Sequence, residues 1–191
     1  IIETLETSLS NKSAYTLHVL KMCDAFSKQG EVQLILPHIK SNFKLNKIRF
    51  DRMLFSSMMY PGDYGFVPET LALDSDPLDV LVLGTEPTFP MCVMEVRPIG
   101  VFHMTDEKGP DEKIICVPVS DPIWNKRHDI DDINPHRLKE IEHFFEVYKD
   151  LEEKKVDVGG WGNAEEAARI YHQCVERYKA EGHLEKGTFS I

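Results

Sequence analysis

From Phe50 onward the chain alternates short apolar runs of β type with strong turn signals. The turn signals are Tyr60-Pro-Gly-Asp-Tyr-Gly65, Asp74-Ser-Asp-Pro77, Glu86-Pro87 and Phe89-Pro90. The runs between them are Val80–Leu83, Cys92–Val96, Ile99–Met104 and Ile114–Val119. Several short strands at this spacing predict a small closed or twisted β structure, not a parallel doubly wound sheet.

Two helices are predicted after this β region. Asn134-Pro135 supplies an N-cap followed by proline, and the apolar spacing beyond it predicts a helix of about 16 residues. Asn163, followed by Glu166, resembles a capping box and predicts the start of the second helix. Nearer the N-terminus, residues 13–29 predict a helix and Val32–Leu36 a strand. We therefore expect a helix-strand segment over residues 1–48 and one domain over residues 49–191.

Composition excludes several classes of protein. The 191 residues carry a net charge of −10, which argues against a nucleic-acid partner because such binding needs a cationic surface. No apolar run is long enough to cross a membrane, and no signal-peptide pattern is present. The four cysteines are scattered among apolar neighbours without a Cys-x-x-Cys motif, which predicts reduced core thiols in a cytoplasmic protein.

The segment Asp74-Ser-Asp-Pro-Leu-Asp79 concentrates three carboxylates within one turn region. Such like charges destabilise a fold unless a cation neutralises them, so the segment indicates a metal site. A calcium loop does not fit, because the required glycine and distant glutamate are missing. A phosphatase with an aspartate nucleophile fits poorly, because Leu78 stands where its Asp-x-Asp-x-Thr pattern needs threonine.

A second acidic group lies in the turn between the predicted strands 99–104 and 114–119. It consists of Asp106, Glu107, Asp111 and Glu112. Alone it is typical of a solvated hairpin tip, but beside the first cluster it predicts the other wall of a multi-metal site. Oxygen ligands without histidine or cysteine favour Mg²⁺, with Mn²⁺ as a substitute. The side chains that could hold oxyanions, as phosphoryl transfer requires, are Arg52, Tyr64, Lys113, Tyr148 and Lys149.

Several stretches occur in the order and spacing of one known family. They are Asp51-Arg52, Tyr60-Pro-Gly-Asp-Tyr-Gly-Phe66, Asp74-Ser-Asp-Pro-Leu-Asp-Val80, Arg97-Pro-Ile-Gly-Val101, Met104-Thr-Asp-Glu107, Asp111-Glu-Lys113 and His143-Phe-Phe-Glu-Val-Tyr-Lys-Asp-Leu151. On these residues the chain, from about residue 50 to 180, resembles the soluble family I inorganic pyrophosphatases. The resemblance implies a mainly β fold with packed α-helices, built on an OB-like five-stranded β-barrel. It also implies Mg²⁺-dependent hydrolysis of pyrophosphate to two phosphates and a homo-oligomer, often a hexamer in bacteria.

The resemblance also implies roles for individual side chains. The metal ligands would be Asp74, Asp79, Asp106 and Asp111, with Asp79 bridging two metal ions. Asp76 would accept a proton from the attacking water, and Tyr64 would form a hydrogen bond near that nucleophile. The groups that bind phosphate oxygens would be Arg52, Lys113, Tyr148 and Lys149. Glu107 would support the second acidic group.

The N-terminal part of the family pattern is missing. Family members carry an Ile-Glu-Ile-Pro-like and then a Lys-Tyr-Glu-like stretch before the Asp-Arg pair, whereas Ile35, Asn42 and Lys44 stand at the three polar positions here. Residues 9–47 instead weakly resemble the beginning of a GT-B glycosyltransferase, which makes the N-terminal α/β segment atypical. We expect Val32–Leu36 and Lys47–Phe50 to pair with the barrel edge that would otherwise be exposed.

Three hypotheses follow from the sequence. The leading one is a Mg²⁺-dependent pyrophosphatase whose activity is impaired by its divergent N-terminus. The alternative is a catalytically inactive pyrophosphatase-like module that binds metal or a partner, and a third is a sugar-nucleotide-binding fragment. An acid from residues 1–47, such as Glu31, that reached the metal site would favour the enzyme.

Overall fold

The β-type runs form a seven-stranded mixed sheet. The structure, a computed structural model, describes residues 31–34, 39–42, 47–50, 53–90, 92–107 and 109–182. Its strands are β1 (Glu31–Leu34), β2 (Ile39–Asn42), β3 (Lys47–Phe50), β4 (Asp63–Phe66), β5 (Asp79–Val82), β6 (Val93–Asp106), β7 (Gly109–Pro110), β8 (Lys113–Pro118) and β9 (Asp157–Asn163). Its helices are α1 (Pro135–Val147) and α2 (Ala164–Arg177), with short helical turns at Ile130–Asp132, Asp150–Glu152 and Tyr178–Gly182.

The strands follow the order β1-β4-β5-β8-β6-β7, and β9 pairs with β6. The β5–β8 pair is parallel, whereas the other pairs of the sheet are antiparallel. This mixed sheet with packed helices agrees with a mainly β fold and with the exclusion of a parallel doubly wound sheet.

The N-terminal strands meet one of the two pairing expectations. β1 pairs with β4 and also with β6, so the described part of the segment expected at Val32–Leu36, which ends at Leu34, does join the main sheet. β3 pairs with β2 in a separate two-stranded sheet, so the expected pairing of Lys47–Phe50 with the barrel edge is wrong. The helix predicted over residues 13–29 lies outside the described residues.

The strands predicted at Cys92–Val96 and Ile99–Met104 are one long strand, β6. Pro98 lies between the two predicted runs, and β6 continues through it with a register shift against β8 between Pro98 and Gly100. Such an irregularity lets a strand bend where proline cannot donate to the ladder.

Strand β9 has no counterpart among the predicted elements. Its glycines leave no alternating apolar pattern, yet the backbone of Gly160 has a φ of 90° that suits glycine. A Cβ on Gly162 would lie 2.7 Å from a side-chain carbon of Val101 on β6. Glycine therefore permits the close approach of β9 to β6.

Both helices begin where their caps predict. The Asn134 side chain accepts a hydrogen bond from the His136 N–H at 2.9 Å, and the Asn163 side chain accepts one from the Glu166 N–H at 3.0 Å. Helix α1 has 13 residues, shorter than expected, because the chain turns off its axis after Tyr148. Among the described residues, no helix is both long and apolar enough to cross a membrane.

Strands β5 and β8 are buried on both faces. One face packs in a cluster with α2, which contributes Ala167, Ile170 and Cys174. The opposite face packs against α1, which contributes Ile141, Phe144 and Phe145. Cys92, Cys116 and Cys174 are buried free thiols, as expected for reduced core cysteines. The double burial makes these strands a rigid base for the residues at their ends.

Candidate active site

The loop between β4 and β5, residues 67–78, carries the first acidic segment. The Asp74 carboxylate accepts a hydrogen bond from the Asp76 N–H at 3.0 Å, which closes a local turn. The Ala72 N–H donates to the Asp76 carbonyl at 2.8 Å, and this bond holds the two sides of the loop together. Asp79 is the first residue of β5, so strand pairing fixes its backbone. The loop therefore holds Asp74 half-buried and leaves Asp76 exposed.

Ser75, at the tip of this turn, has a left-handed φ of 69°. Ser75→Gly should leave the melting temperature nearly unchanged, because relief of the Cβ clash offsets the extra chain entropy of glycine. Ser75→Val should lower the free energy of unfolding by about 1–2 kcal/mol, because a β-branched residue is poorly tolerated in this region. Thermal unfolding of both variants in chelator measures the difference, and equal stabilities would contradict it.

The parallel pairing of β5 with β8 brings the two acidic groups together. Its register places Asp79 and Lys113 at the beginnings of neighbouring strands. Asp106 ends β6 and pairs with Gly109 across the β6–β7 hairpin, and Asp111 follows directly after that hairpin. The second acidic group thus lies at the same end of the sheet as Asp79.

Lys113 lies at the centre of this cluster with only 3% of its side chain exposed. Its Nζ is 2.6 Å from Asp79 Oδ2 and 2.5 Å from Asp111 Oδ1. The Tyr64 hydroxyl donates to the same Asp79 oxygen at 2.5 Å, and the Lys113 ammonium lies 5.6 Å from the centre of the Tyr64 ring. One ammonium group thus bridges two carboxylates from different strands.

The chain just after α1 supplies a second lysine to the second acidic group. Lys149 Nζ is 2.6 Å from Asp106 Oδ2 and 3.6 Å from Glu107 Oε2. Tyr148 is buried beside it, and the Lys149 ammonium lies 5.4 Å from the centre of the Tyr148 ring. The other Glu107 oxygen contacts Lys154 Nζ at 3.0 Å. Packing of α1 therefore determines where Lys149 meets Asp106.

Burial and mutual repulsion shift the titration of the cluster. Burial raises the pKa of Asp111 to about 6, although Lys113 opposes the rise, and the charges of Asp79 and Asp74 contribute to it. Burial also raises the pKa of Asp74. The pKa of Tyr64 lies well above its ordinary value because of burial and then the Asp79 charge. Burial would lower the pKa of Lys113, but the surrounding negative groups, led by Asp79, raise it well above its usual range.

The donor chemistry of this cluster fits divalent cations that prefer oxygen. Burial, with the charges of neighbouring carboxylates as a smaller cause, raises the pKa values of Asp74 and Asp111, and a bound cation would favour their charged forms. The carboxylates also outnumber the lysines in contact with them. Within the described ranges, no group of three or more acidic, histidine or cysteine side chains is arranged to hold a metal ion. The ammonium of Lys113 instead lies between Asp79 and Asp111.

The structure brings together most of the residues singled out by sequence. Contacts or charge interactions join one group: Tyr64, Asp74, Asp79, Asp111, Lys113 and Tyr148. Ion pairs join a second group: Asp106, Glu107 and Lys149. Asp76 is exposed on the loop beside Asp74, whereas Arg52 lies outside the described residues.

The structure adds two side chains to the site that the sequence did not indicate. Lys154 contacts both Glu107 and, at 3.3 Å, Glu152, although no motif or spacing distinguished it from other surface lysines. Tyr60 places its ring centre 4.7 Å from that of Tyr64 and 4.6 Å from that of Phe144 on α1. The sequence feature that could have identified Tyr60 is its position in the aromatic turn before β4.

Glu31 was the acid in the N-terminal segment that could have joined the metal site. The register of β1 pairs it with Glu95, near the beginning of β6, whereas Asp106 ends that strand. Ile35 and Lys44, which replace family polar residues, lie outside the described residues, and Asn42 ends β2.

The site combines carboxylates that can bind divalent cations with lysines and tyrosines that can bind oxyanions. This combination is typical of metal-dependent phosphoryl-transfer enzymes. The sequence model of the family described as "Inorganic pyrophosphatase" matches residues 17–179. An inorganic pyrophosphatase of Methanosarcina mazei is 56% identical over 137 residues, which cover 72% of this chain and 81% of that protein. An inorganic pyrophosphatase of Geobacillus stearothermophilus is 48% identical over 133 residues, which cover 70% of this chain and 81% of that protein.

Solved structures agree with these sequence matches. The crystal structure of the inorganic pyrophosphatase from Thermus thermophilus superposes with a TM-score of 0.73 and 41% identity, over 78% of this chain and 90% of that chain. The chain belongs to the inorganic pyrophosphatase family. The glycosyltransferase resemblance of residues 9–47 finds no support, and the family match instead begins at residue 17, inside that segment.

Proposed function

We propose that this chain hydrolyses inorganic pyrophosphate to two phosphates, with Mg²⁺ as its metal ion and Mn²⁺ as a possible substitute. The observation that carries the proposal is the cluster in which Lys113 bridges Asp79 and Asp111 while Tyr64 donates to Asp79. Relatives 56% and 48% identical are named inorganic pyrophosphatase. A catalytically inactive module is not favoured, because these relatives are named as enzymes and the acidic residues of the site are present.

Asp74, Asp79 and Asp111 would hold one metal ion, and Asp106 with Asp111 would hold metal that enters with the substrate. When bound, Mg²⁺ would neutralise substrate charge and lower the pKa of the attacking water. Two features support these assignments: the electrostatic coupling of Asp74, Asp79 and Asp111, and the position of Asp106 on the neighbouring hairpin.

Asp76 would accept the proton of the attacking water. Its exposure supports this role, because a solvent-facing carboxylate can both receive and release a proton. Tyr64, whose raised pKa keeps it protonated, would orient Asp79 through its short hydrogen bond. These two residues would prepare the nucleophile without forming a covalent intermediate.

Lys113 and Lys149 would change partners during the reaction. In the structure they neutralise Asp79, Asp111 and Asp106. Once those carboxylates bind cations, the two ammonium groups become available to phosphate oxygens, on which negative charge is spread in the transition state. Tyr148 and Arg52 would bind further phosphate oxygens.

Three broader proposals accompany this function. The pairing of β1 with both β4 and β6 supports a five-stranded OB-like barrel made of β1, β4, β5, β8 and β6. We also propose a cytoplasmic homo-oligomer, with a hexamer as the size suggested by the family resemblance. Residues 49–191 would form the pyrophosphatase-like domain, and the atypical N-terminal segment, residues 1–48, would contribute β1 to its barrel.

Phosphate release from pyrophosphate, measured with the full chain, tests the function. We expect release in Mg²⁺, none in chelator, and little from a phosphate monoester supplied as a control substrate. Absence of release from folded protein in Mg²⁺ or Mn²⁺ would contradict the proposal and favour the inactive module. Equal release from both substrates would indicate a general phosphatase instead.

A further inference from the structure

The acidic loop leaves the sheet at Val67 and returns to it at Leu78. The Val67 N–H donates to the Leu78 carbonyl at 2.9 Å, which extends the β4–β5 ladder by one bond. In a regular hydrogen-bonded antiparallel pair, the Leu78 N–H would donate to the Val67 carbonyl in return. Here both of these groups bond to the side chain of Thr70 instead.

Thr70 fills this gap with one hydroxyl group. Its Oγ1 donates to the Val67 carbonyl at 2.6 Å and accepts from the Leu78 N–H at 2.9 Å. A hydroxyl can donate and accept at once, so it replaces the missing strand bond with a two-bond bridge. Glu69, with a left-handed φ of 57°, turns the chain at the position before Thr70. Thr70 itself is only 2% exposed, so water has little access to the bridge.

The bridge ends one residue before Asp79. Because the Leu78 N–H is held by Thr70 and Asp79 begins β5, the hydroxyl fixes the path by which the loop delivers this carboxylate. Without the hydroxyl, a buried N–H and a buried carbonyl would lose their partners, and the loop base would have to shift to satisfy them.

We propose that Thr70 is a positioning residue that sets the metal affinity of the carboxylates Asp74 and Asp79. This inference rests on the proposed function, because it assumes that these carboxylates bind Mg²⁺. The Thr70 hydroxyl bonds to backbone groups of Val67 and Leu78, so it would act on these carboxylates through the loop base. Groups that orient metal ligands commonly contribute 10–100-fold to metal affinity or activity.

A separate anchor explains why loss of the bridge should be a local event. The Leu71 N–H donates to the Cys174 carbonyl on α2 at 3.0 Å, and the Arg177 guanidinium donates to the Leu71 carbonyl at 2.6 Å. The outer part of the loop therefore remains attached to α2 when the Thr70 hydroxyl is removed. We expect the base of the loop to shift while the fold persists.

The test compares Thr70→Val, which removes the hydroxyl at nearly constant shape, with Thr70→Ser, which keeps it. Thr88→Val is the matched control, because the Thr88 hydroxyl donates to Asp63 at 2.8 Å at the other end of β4. Mg²⁺ binding to metal-stripped full chain is measured by calorimetry without pyrophosphate, alongside kcat, KM and thermal unfolding in chelator.

We expect Thr70→Val to weaken Mg²⁺ binding about 10–100-fold, while Thr70→Ser and Thr88→Val retain the parent affinity. Parent-like binding and turnover in Thr70→Val would overturn the proposal, as would equal losses in Thr88→Val. If Thr70→Val does not fold, Thr70→Ala against Thr70→Ser isolates the hydroxyl, and equal affinities would again overturn it. A parent chain that binds Mg²⁺ but does not hydrolyse pyrophosphate would refute the proposed function and leave this comparison valid.

Discussion

Asparagine in place of Asp76 is expected to lower kcat for pyrophosphate hydrolysis by about 10²–10⁴-fold, the usual contribution of a general base. The amide cannot accept the proton of the attacking water, yet it occupies nearly the same volume on an exposed part of the loop. The backbone bonds of Asp76 to Asp74 and Ala72 do not involve the changed atoms, so the turn should persist. Steady-state kinetics in saturating Mg²⁺ measure the effect.

In Asp76→Asn, turnover should fall while metal binding is retained. Calorimetry of Mg²⁺ binding to Asp76→Asn should therefore give nearly the parent affinity. Asp131→Asn, which removes one exposed carboxylate from the turn at Ile130–Asp132, is the control for the change in net charge and should keep the parent kcat. Turnover of Asp76→Asn at the parent rate would show that the general base lies elsewhere.

Local chemistry made part of the fold predictable. The cap residues Asn134 and Asn163 act on their own first turns, so the sequence beside them specifies where α1 and α2 begin. The nearly continuous burial of β5 and β8 follows from their apolar composition in the same way. These features depend on neighbours a few residues apart, which a sequence displays directly.

The errors arose where distant contacts override local preference. Gly159 and Gly160 do not suggest a strand, yet β9 forms because β6 offers a partner, and at Gly162 that partner approaches too closely for a larger residue. The predicted strands stop at Val96 and resume at Ile99, yet β6 continues through Pro98 because a register shift against β8 accommodates the missing donor. Neither partner strand can be identified from the local sequence alone.

In the candidate site, too, the local features could be predicted from the sequence, whereas the contacts between distant residues could not. The Asp74–Asp79 segment and the acidic hairpin were each evident as clusters of like charge. Their convergence depends on the parallel β5–β8 register, which places Asp79 beside Lys113, and on the packing of α1, which delivers Lys149 to Asp106. Family resemblance supplied those residues in advance, whereas the lysine–carboxylate contacts themselves became visible only in three dimensions.

Methionine in place of Lys113 is expected to destabilise the metal-free protein by about 3–5 kcal/mol, the usual cost of removing one partner from a buried ion pair. The ammonium is almost completely buried and contacts both Asp79 and Asp111, which would be left close together without a counter-charge. Methionine has a similar length and keeps the apolar stem packed, so the lost charge dominates the change. Denaturant unfolding in chelator measures the loss.

Mg²⁺ should reverse much of this loss, because a divalent cation can replace the ammonium between the two carboxylates. A ligand present at about 100 times its Kd stabilises the folded state by about 2.7 kcal/mol, so the rescue lies well within measurement. The gain in melting temperature from chelator to Mg²⁺ should be larger for Lys113→Met than for the parent, whereas Lys155→Met, at an exposed lysine, should match the parent. Equal gains in Lys113→Met and the parent would mean that Lys113 does not stand in for a metal cation.

Turnover by Lys113→Met should stay low even in Mg²⁺, because the proposed contact to phosphate oxygens is lost. Low turnover in a protein whose stability Mg²⁺ restores would separate the structural role of Lys113 from its role in catalysis.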